Sequence, residues 1–358
     1  MSSQIQRLVD DLVAQMGSGS ESYQGTLEKL ADAARNDGPD SLTVVVESLA
    51  PLLPGLAGDY ATVAVLAGAC VEWGGSPMAL VDVLPQRAAE AMMLNAAVPD
   101  LWSKATGGRP LPEPSSASAD LLVRGLTQRA WWRRGRRADG MREEAMTRIA
   151  MSWFDMDYWL SALTAVMVDT RFRAAVADDV KDELRRYASA VVARSQEAAW
   201  VQALAAVLDD EPLIVIDSSV RRAYALRMSG LADMGQLYIL LADRLIGDSD
   251  EPLVAGERPL SRWTEAATDG PPSLGQDEPA KLAFRLFDAH GAYFGPERLP
   301  ADIKRVHGTR LLILQPPNGT VLLGAGRMFE RMTPTLLLDR VLRPEETQSW
   351  LNRLSMSQ

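Results

Sequence analysis

This 358-residue sequence predicts a mainly α fold: a helical N-terminal two-thirds joined to a smaller antiparallel α+β C-terminal part. Three observations carry that prediction. Apolar residues recur in steps of three and four from Met146 to Met167. The helical period gives way to alternation near Asp209, and from there short apolar runs come in pairs around turn-forming residues.

Residues 1–16 predict an acidic amphipathic helix, with Ile5, Leu8, Val9, Leu12 and Val13 on one side. A signal peptide would instead need a basic start and an unbroken apolar stretch. After a Gly/Ser break, a helix over residues 22–36 is closed by Asp37, Gly38 and Pro39. Three apolar segments follow, Leu42 to Leu53, Tyr60 to Trp73 and Pro77 to Leu94, with Pro/Gly-rich joints that predict short antiparallel helical hairpins. No residue recurs at a fixed period, so a repeat solenoid has little support. Residues 104–119 concentrate Gly, Pro and Ser and read as a linker or long loop between a helical region 1–103 and a helical bundle region 120–210.

In that second region Asp139 is placed to cap a helix, with Glu143 and Glu144 in its first turn complementing the dipole. Met146, Ile149, Trp153, Met156, Leu160, Leu163 and Met167 form a seam on it that calls for a packing partner, and the stretch Asp178 to Leu208 is the natural one. Phe154 and Tyr158 make a second side apolar, which predicts a place inside a bundle. In the α+β region 211–358, LIVID (213–217) and AYALRM (223–228) predict one hairpin, and FRLFDA and AYF around His290 and Gly291 a second. RLLILQ (310–315) and TVLL (320–323) around PPNG predict a third. A helix over residues 233–246 and a closing helix opened by Pro344 complete the reading.

The net charge of −10 is concentrated at one end, where residues 1–120 hold 15 Asp and Glu against 6 Lys and Arg. Such a surface disfavours phosphate backbones and acidic membranes. The longest apolar run, Ala61 to Val71, is too short to span a bilayer. The single cysteine excludes an internal disulfide and fits a reducing compartment, so a cytoplasmic location is expected. Cys70 sits among small apolar residues and reads as a buried, inert thiol. With only that thiol, His290 and His307 available, a zinc site of imidazole and thiolate lacks ligands. No metal and no cofactor are expected, which leaves any chemistry to carboxylates, arginines, hydroxyls and backbone amides.

The segments SGLADMGQLYILLADRLIG (229–247), LFDAHGAYF (286–294), LPADI (299–303) and GAGRMF (324–329) resemble a set of uncharacterised actinobacterial-type hypothetical proteins. The resemblance covers the C-terminal third and implies no activity.

Three constellations bear on chemistry. Arg129, Arg133, Arg136 and Arg137 share a helical face beside Trp131 and Trp132, as a phosphate or nucleic-acid surface would; the simpler reading is arginines paired with the acidic N-terminal third. Asp288 and His290, two apart, are placed for a carboxylate-oriented base if extended, or for a plain chain reversal. Arg327 closes a GAGR element, a weak anion-cradle signal without the third glycine of a dinucleotide fingerprint or the lysine of a P-loop. Asp155 and Asp157 project about 200° apart on a helix and do not form an acid pair. The function expected is an intracellular interaction or accessory protein with a protein partner. The alternatives are an enzyme or small-ligand binder with its site in the C-terminal part, and phosphate or nucleic-acid binding through the arginine face.

Overall fold

The computed structural model describes residues 3–20, 22–114, 116–127, 136–247, 252–271, 280–318, 322–323 and 326–356. The chain divides into two compact units, Met1–Ala205 and Ala206–Gln358.

The described residues of the first unit form helices and the loops between them. Four helices, α1 (Ser3–Gly17), α2 (Tyr23–Asp37), α3 (Pro39–Leu49) and α4 (Thr62–Glu72), pack on one another in sequence. Their cores are Ile5, Leu12, Leu30, Leu42, Val45 and Leu49. In α4, Cys70 is fully buried, and burial pushes its thiol up to about 12, so it stays protonated. The next helix, α5 (Leu84–Thr106), runs well past Leu94, where the sequence-based expectation ended, and continues through Pro99. Proline removes the N–H that would have bonded the Asn95 carbonyl. Arg194 supplies the missing donor, its Nη2 lying 3.2 Å from that oxygen and 2.8 Å from Asn95 Oδ1.

Residues 104–119 contribute the end of α5, a loop and the start of α6 (Ser116–Thr127), all inside the first unit. Two indoles pin the loop: Trp102 Nε1 donates to the carbonyls of Arg109 and Pro110 at 3.0 Å, and Trp153 Nε1 to that of Pro112 at 3.1 Å. Trp153 is half-buried, with the Arg194 guanidinium 5.7 Å from its ring. We expect Trp153→Ala to cost about 2–3 kcal/mol in urea melts, below the range for a fully buried indole, and to make residues 107–114 the first protease-sensitive site.

The long helix α7 (Arg136–Met167) is central, packing on α4, α5, α6 and the later α10. Its seam is buried at Met156, Leu160, Leu163 and Met167; a second buried side is made by Asp155, Trp159, Ala162 and Val166, whereas Tyr158 is exposed. Gly68 of α4 meets it closely, since a Cβ there would lie 3.0 Å from Ala162 Cα. After the short α8 (Thr170–Ala175), the stretch expected as one helix divides into α9 (Asp178–Val191) and α10 (Gln196–Ala205). Ser195 makes the break: its Oγ accepts from the Ala198 N–H as an N-cap and donates to Asp157 at 2.8 Å. Thus α10 packs on the central helix while α9 packs on α5.

The second unit is a three-layer α+β arrangement. Strands β1 (Glu211–Asp217) and β2 (Arg222–Ser229) form the expected hairpin, and α11 (Met234–Ile246) follows. Asp233 caps α11 by accepting from the Gln236 N–H, while Gln236 Oε1 accepts from the Ala232 N–H. Next come α12 (Ser261–Ala267), β3 (Ala280–Lys281), β4 (Arg285–Phe287), β5 (Arg305–Val306), β6 (Thr309–Gln315), β7 (Leu322–Leu323), β8 (Thr335–Val341) and α13 (Pro344–Met356). The main sheet has the order β4-β6-β1-β2-β8, with β5 also on β6.

Two expectations are corrected here. The sheet is mixed, because β1 and β6 pair in parallel. The hairpin expected around PPNG does not form: β6 lies between β1 and β4, while β7 pairs with β3 in a separate two-stranded sheet. Pro316 and Pro317 carry no N–H to continue a ladder, so the chain leaves the sheet after Gln315. Alternation places Leu213, Val215, Leu226 and Leu312 on the face covered by α11 and α12, and Ile214, Ile216, Ala223 and Leu311 on the face covered by α13.

Candidate functional site

The residues singled out in the sequence do not converge. Asp288 is buried, and its Oδ1 accepts from the backbone N–H groups of His290 and Ala292, both at 2.9 Å. The carboxylate thus braces a chain reversal, while His290 is exposed. Arg327 donates to two backbone carbonyls, Glu330 at 3.0 Å and Ala266 at 3.2 Å, so it fastens the end of α12. Arg129 and Arg133 lie outside the described residues, as do the side chains of Arg136 and Arg137. Among the described residues no group of three or more His, Cys, Asp or Glu is placed to hold a metal ion, and no helix is long and apolar enough to cross a membrane.

Among the described residues, two of the concave sites bear on function instead. In the first unit, a cleft of about 430 Å³ is lined by Leu56, Ala57, Thr147, Arg148 and Met151. Beside it, Arg87 and Glu90 of α5 meet Arg148 and Asp155 of α7. Glu90 bridges both guanidiniums, ion-paired with Arg87 and lying 3.0 Å from Arg148 Nε. Arg87 also donates to the Leu56 carbonyl at 2.8 Å and lies 4.6 Å from the centre of the Trp159 ring. Asp155 is 3% exposed and accepts from the Gly58 N–H at 2.7 Å. Burial raises its pKa to about 6, outweighing that hydrogen bond and the nearby Arg87 and Arg148. These charges answer one another and clamp the 56–58 segment onto α5 and α7, which is structural work.

The second site, in the C-terminal unit, is a pocket of about 370 Å³. Four segments build it. The 255–258 loop is held on α11 by the Val254 N–H to Leu245 carbonyl bond at 3.1 Å and by the Arg258–Asp243 ion pair at 2.9 Å. Just upstream, the Tyr224 hydroxyl donates to the Leu253 carbonyl at 2.7 Å. Gly256 is required in this loop: its φ is +153°, and a Cβ would come within 3.0 Å of Ile246 Cδ1. Leu260 and Trp263, at the start of α12, form the second wall; Trp263 is half-buried and its Nε1 has no hydrogen-bond acceptor among the described residues. Lys281, Leu282 and Ala283 at the end of β3 form the third, and Pro316 and Pro317 after β6 the fourth. The lining is mostly apolar, with Arg258, Lys281 and Glu257 as its charged members.

Sequence reasoning missed this pocket. Its parts read singly as a turn (PPNG), a short helix and a strand end, and no spacing in the sequence links them. The comparisons with protein-family models, curated proteins and solved structures give no match.

Proposed function

We propose that this chain is an accessory protein that acts by binding, and that its C-terminal unit holds a small, mainly apolar ligand in the Trp263 pocket. The pocket itself carries the reading. A volume of about 370 Å³ lies in the range of small-molecule sites, and apolar walls with a few polar groups are their usual composition. One wall, the 255–258 loop, is tied to α11 and, through Leu253, to the sheet by named hydrogen bonds and one ion pair, which supports a cavity formed without a ligand to organise it. The lone cysteine, kept as a buried free thiol, supports a reducing compartment such as the cytoplasm.

The test uses N-phenyl-1-naphthylamine, an uncharged probe that fluoresces in apolar surroundings. Its emission is expected to rise saturably with the full chain. Ala283→Leu, which fills the pocket from a half-buried position, is expected to weaken binding by about tenfold with an unchanged circular dichroism spectrum. Emission that ignores Ala283→Leu would place the probe elsewhere and remove the reading.

A further inference from the structure

We infer that the Trp263 pocket selects a small planar aromatic carboxylic acid, an inference that rests on reading the pocket as a small-molecule site. The shape argues for a flat ring. The Trp263 indole and the consecutive Pro316 and Pro317 rings are rigid walls, with Leu260 and Leu282 completing the apolar lining. A planar π-system gains contact area and offset stacking against an indole, and walls this stiff lose little side-chain freedom when it arrives. The space of about 370 Å³ admits one or two fused rings with a short substituent.

Charge argues for an acid. Two cations, Arg258 and Lys281, and one anion, Glu257, line the pocket. Arg258 is already paired with Asp243 of α11. Lys281 Nζ is 3.5 Å from Glu257, and the two side chains are 54% and 78% exposed. An ion pair that long and that wet is worth almost nothing, so a ligand carboxylate takes Lys281 from Glu257 at little cost. A ligand ammonium would have to seek Glu257, the more solvated partner, with both cations nearby. An uncharged ligand leaves the loose pair as it is and gains from the lysine at most a hydrogen bond to a neutral acceptor, weaker than one to a carboxylate.

The experiment is isothermal titration calorimetry of the full chain near neutral pH with 2-naphthoate and with 2-naphthalenemethanol, its uncharged counterpart. The acid is expected to bind about threefold to fivefold more tightly, as a partly exposed lysine supports. Lys281→Gln, a change at an exposed side chain, is expected to erase that preference. Equal affinities in the unaltered chain would overturn the acid class while leaving the pocket reading in place, and so would a preference that survives Lys281→Gln. Failure of both compounds to bind, or binding of both that ignores Ala283→Leu, would overturn the two readings together.

Discussion

Replacing Arg87 by alanine is expected to lower the unfolding free energy by about 3–5 kcal/mol, the largest effect of any exchange considered for this chain. The side chain is only 8% exposed and has three separate dependants. Glu90 keeps Arg148 but loses its buried cation, the Leu56 carbonyl loses its donor, and the Trp159 ring loses the guanidinium packed over it. Burial of a charge is tolerable only while the partner is present, so removing one member costs more than the pair itself contributes. Arg87→Lys does not restore the site, because one ammonium cannot reach a carboxylate and a carbonyl in a fixed fork and also stack on an indole. Urea melts of both variants check this. A loss below about 1 kcal/mol for Arg87→Ala would mean that the clamp is open in solution.

The second large effect is a pH dependence centred on Asp155. Its carboxyl is shifted upward, from an ordinary 3.8 to about 6, and burial is the cause. The native state therefore holds this proton more tightly than the unfolded chain does. The stability conferred by that preference is fully present below 3.8 and is lost as pH rises through about 6. A shift of about two units corresponds to about 3 kcal/mol. Asp155→Asn resembles the protonated acid in shape, keeps an oxygen for the Gly58 N–H and does not ionise. The stability of the variant relative to the parent is thus expected to rise by about 3 kcal/mol from acid to neutral pH, since the other carboxylates cancel in the difference. A difference that stays flat across that interval would show that Asp155 titrates as a solvated acid. The sign is opposite to that of an ion-paired surface carboxylate such as Glu346, which Arg340 and the Arg343 N–H hold down at about 2.

The same acid shows where reading the sequence stops. Asp155 and Asp157 point to different sides of α7, as their spacing requires, and each finds its partners far away in the chain: Gly58 for one and Ser195 for the other. Nothing local to Asp155 foretells a buried carboxylate. Pro99 gives the same lesson in reverse. Its chemistry is a stop signal, yet α5 runs through it, because Arg194 approaches from the connection between α9 and α10 to take the orphaned carbonyl.

The sequence by itself determined what depends on neighbours a few residues away. The three-and-four spacing from Met156 to Met167 specifies a buried helical stripe, the alternation in LIVID and AYALRM with a turn between them specifies the β1–β2 hairpin, and Asp233 with Gln236 specifies where α11 begins. The setting of Cys70 among small apolar residues specifies its burial. Only the tertiary structure decided that β6 lies parallel to β1, that the strand expected to return beside β6 pairs with β3 instead, and that Trp263, Lys281 and Pro316 face one cavity. The physical reason is that alternation states which face of a strand is buried and not which strand lies beside it, since any apolar neighbour satisfies the same pattern. A pocket built from four segments across some sixty residues is likewise a property of the packed chain, and appears only when the sheet and α11 have brought those segments together.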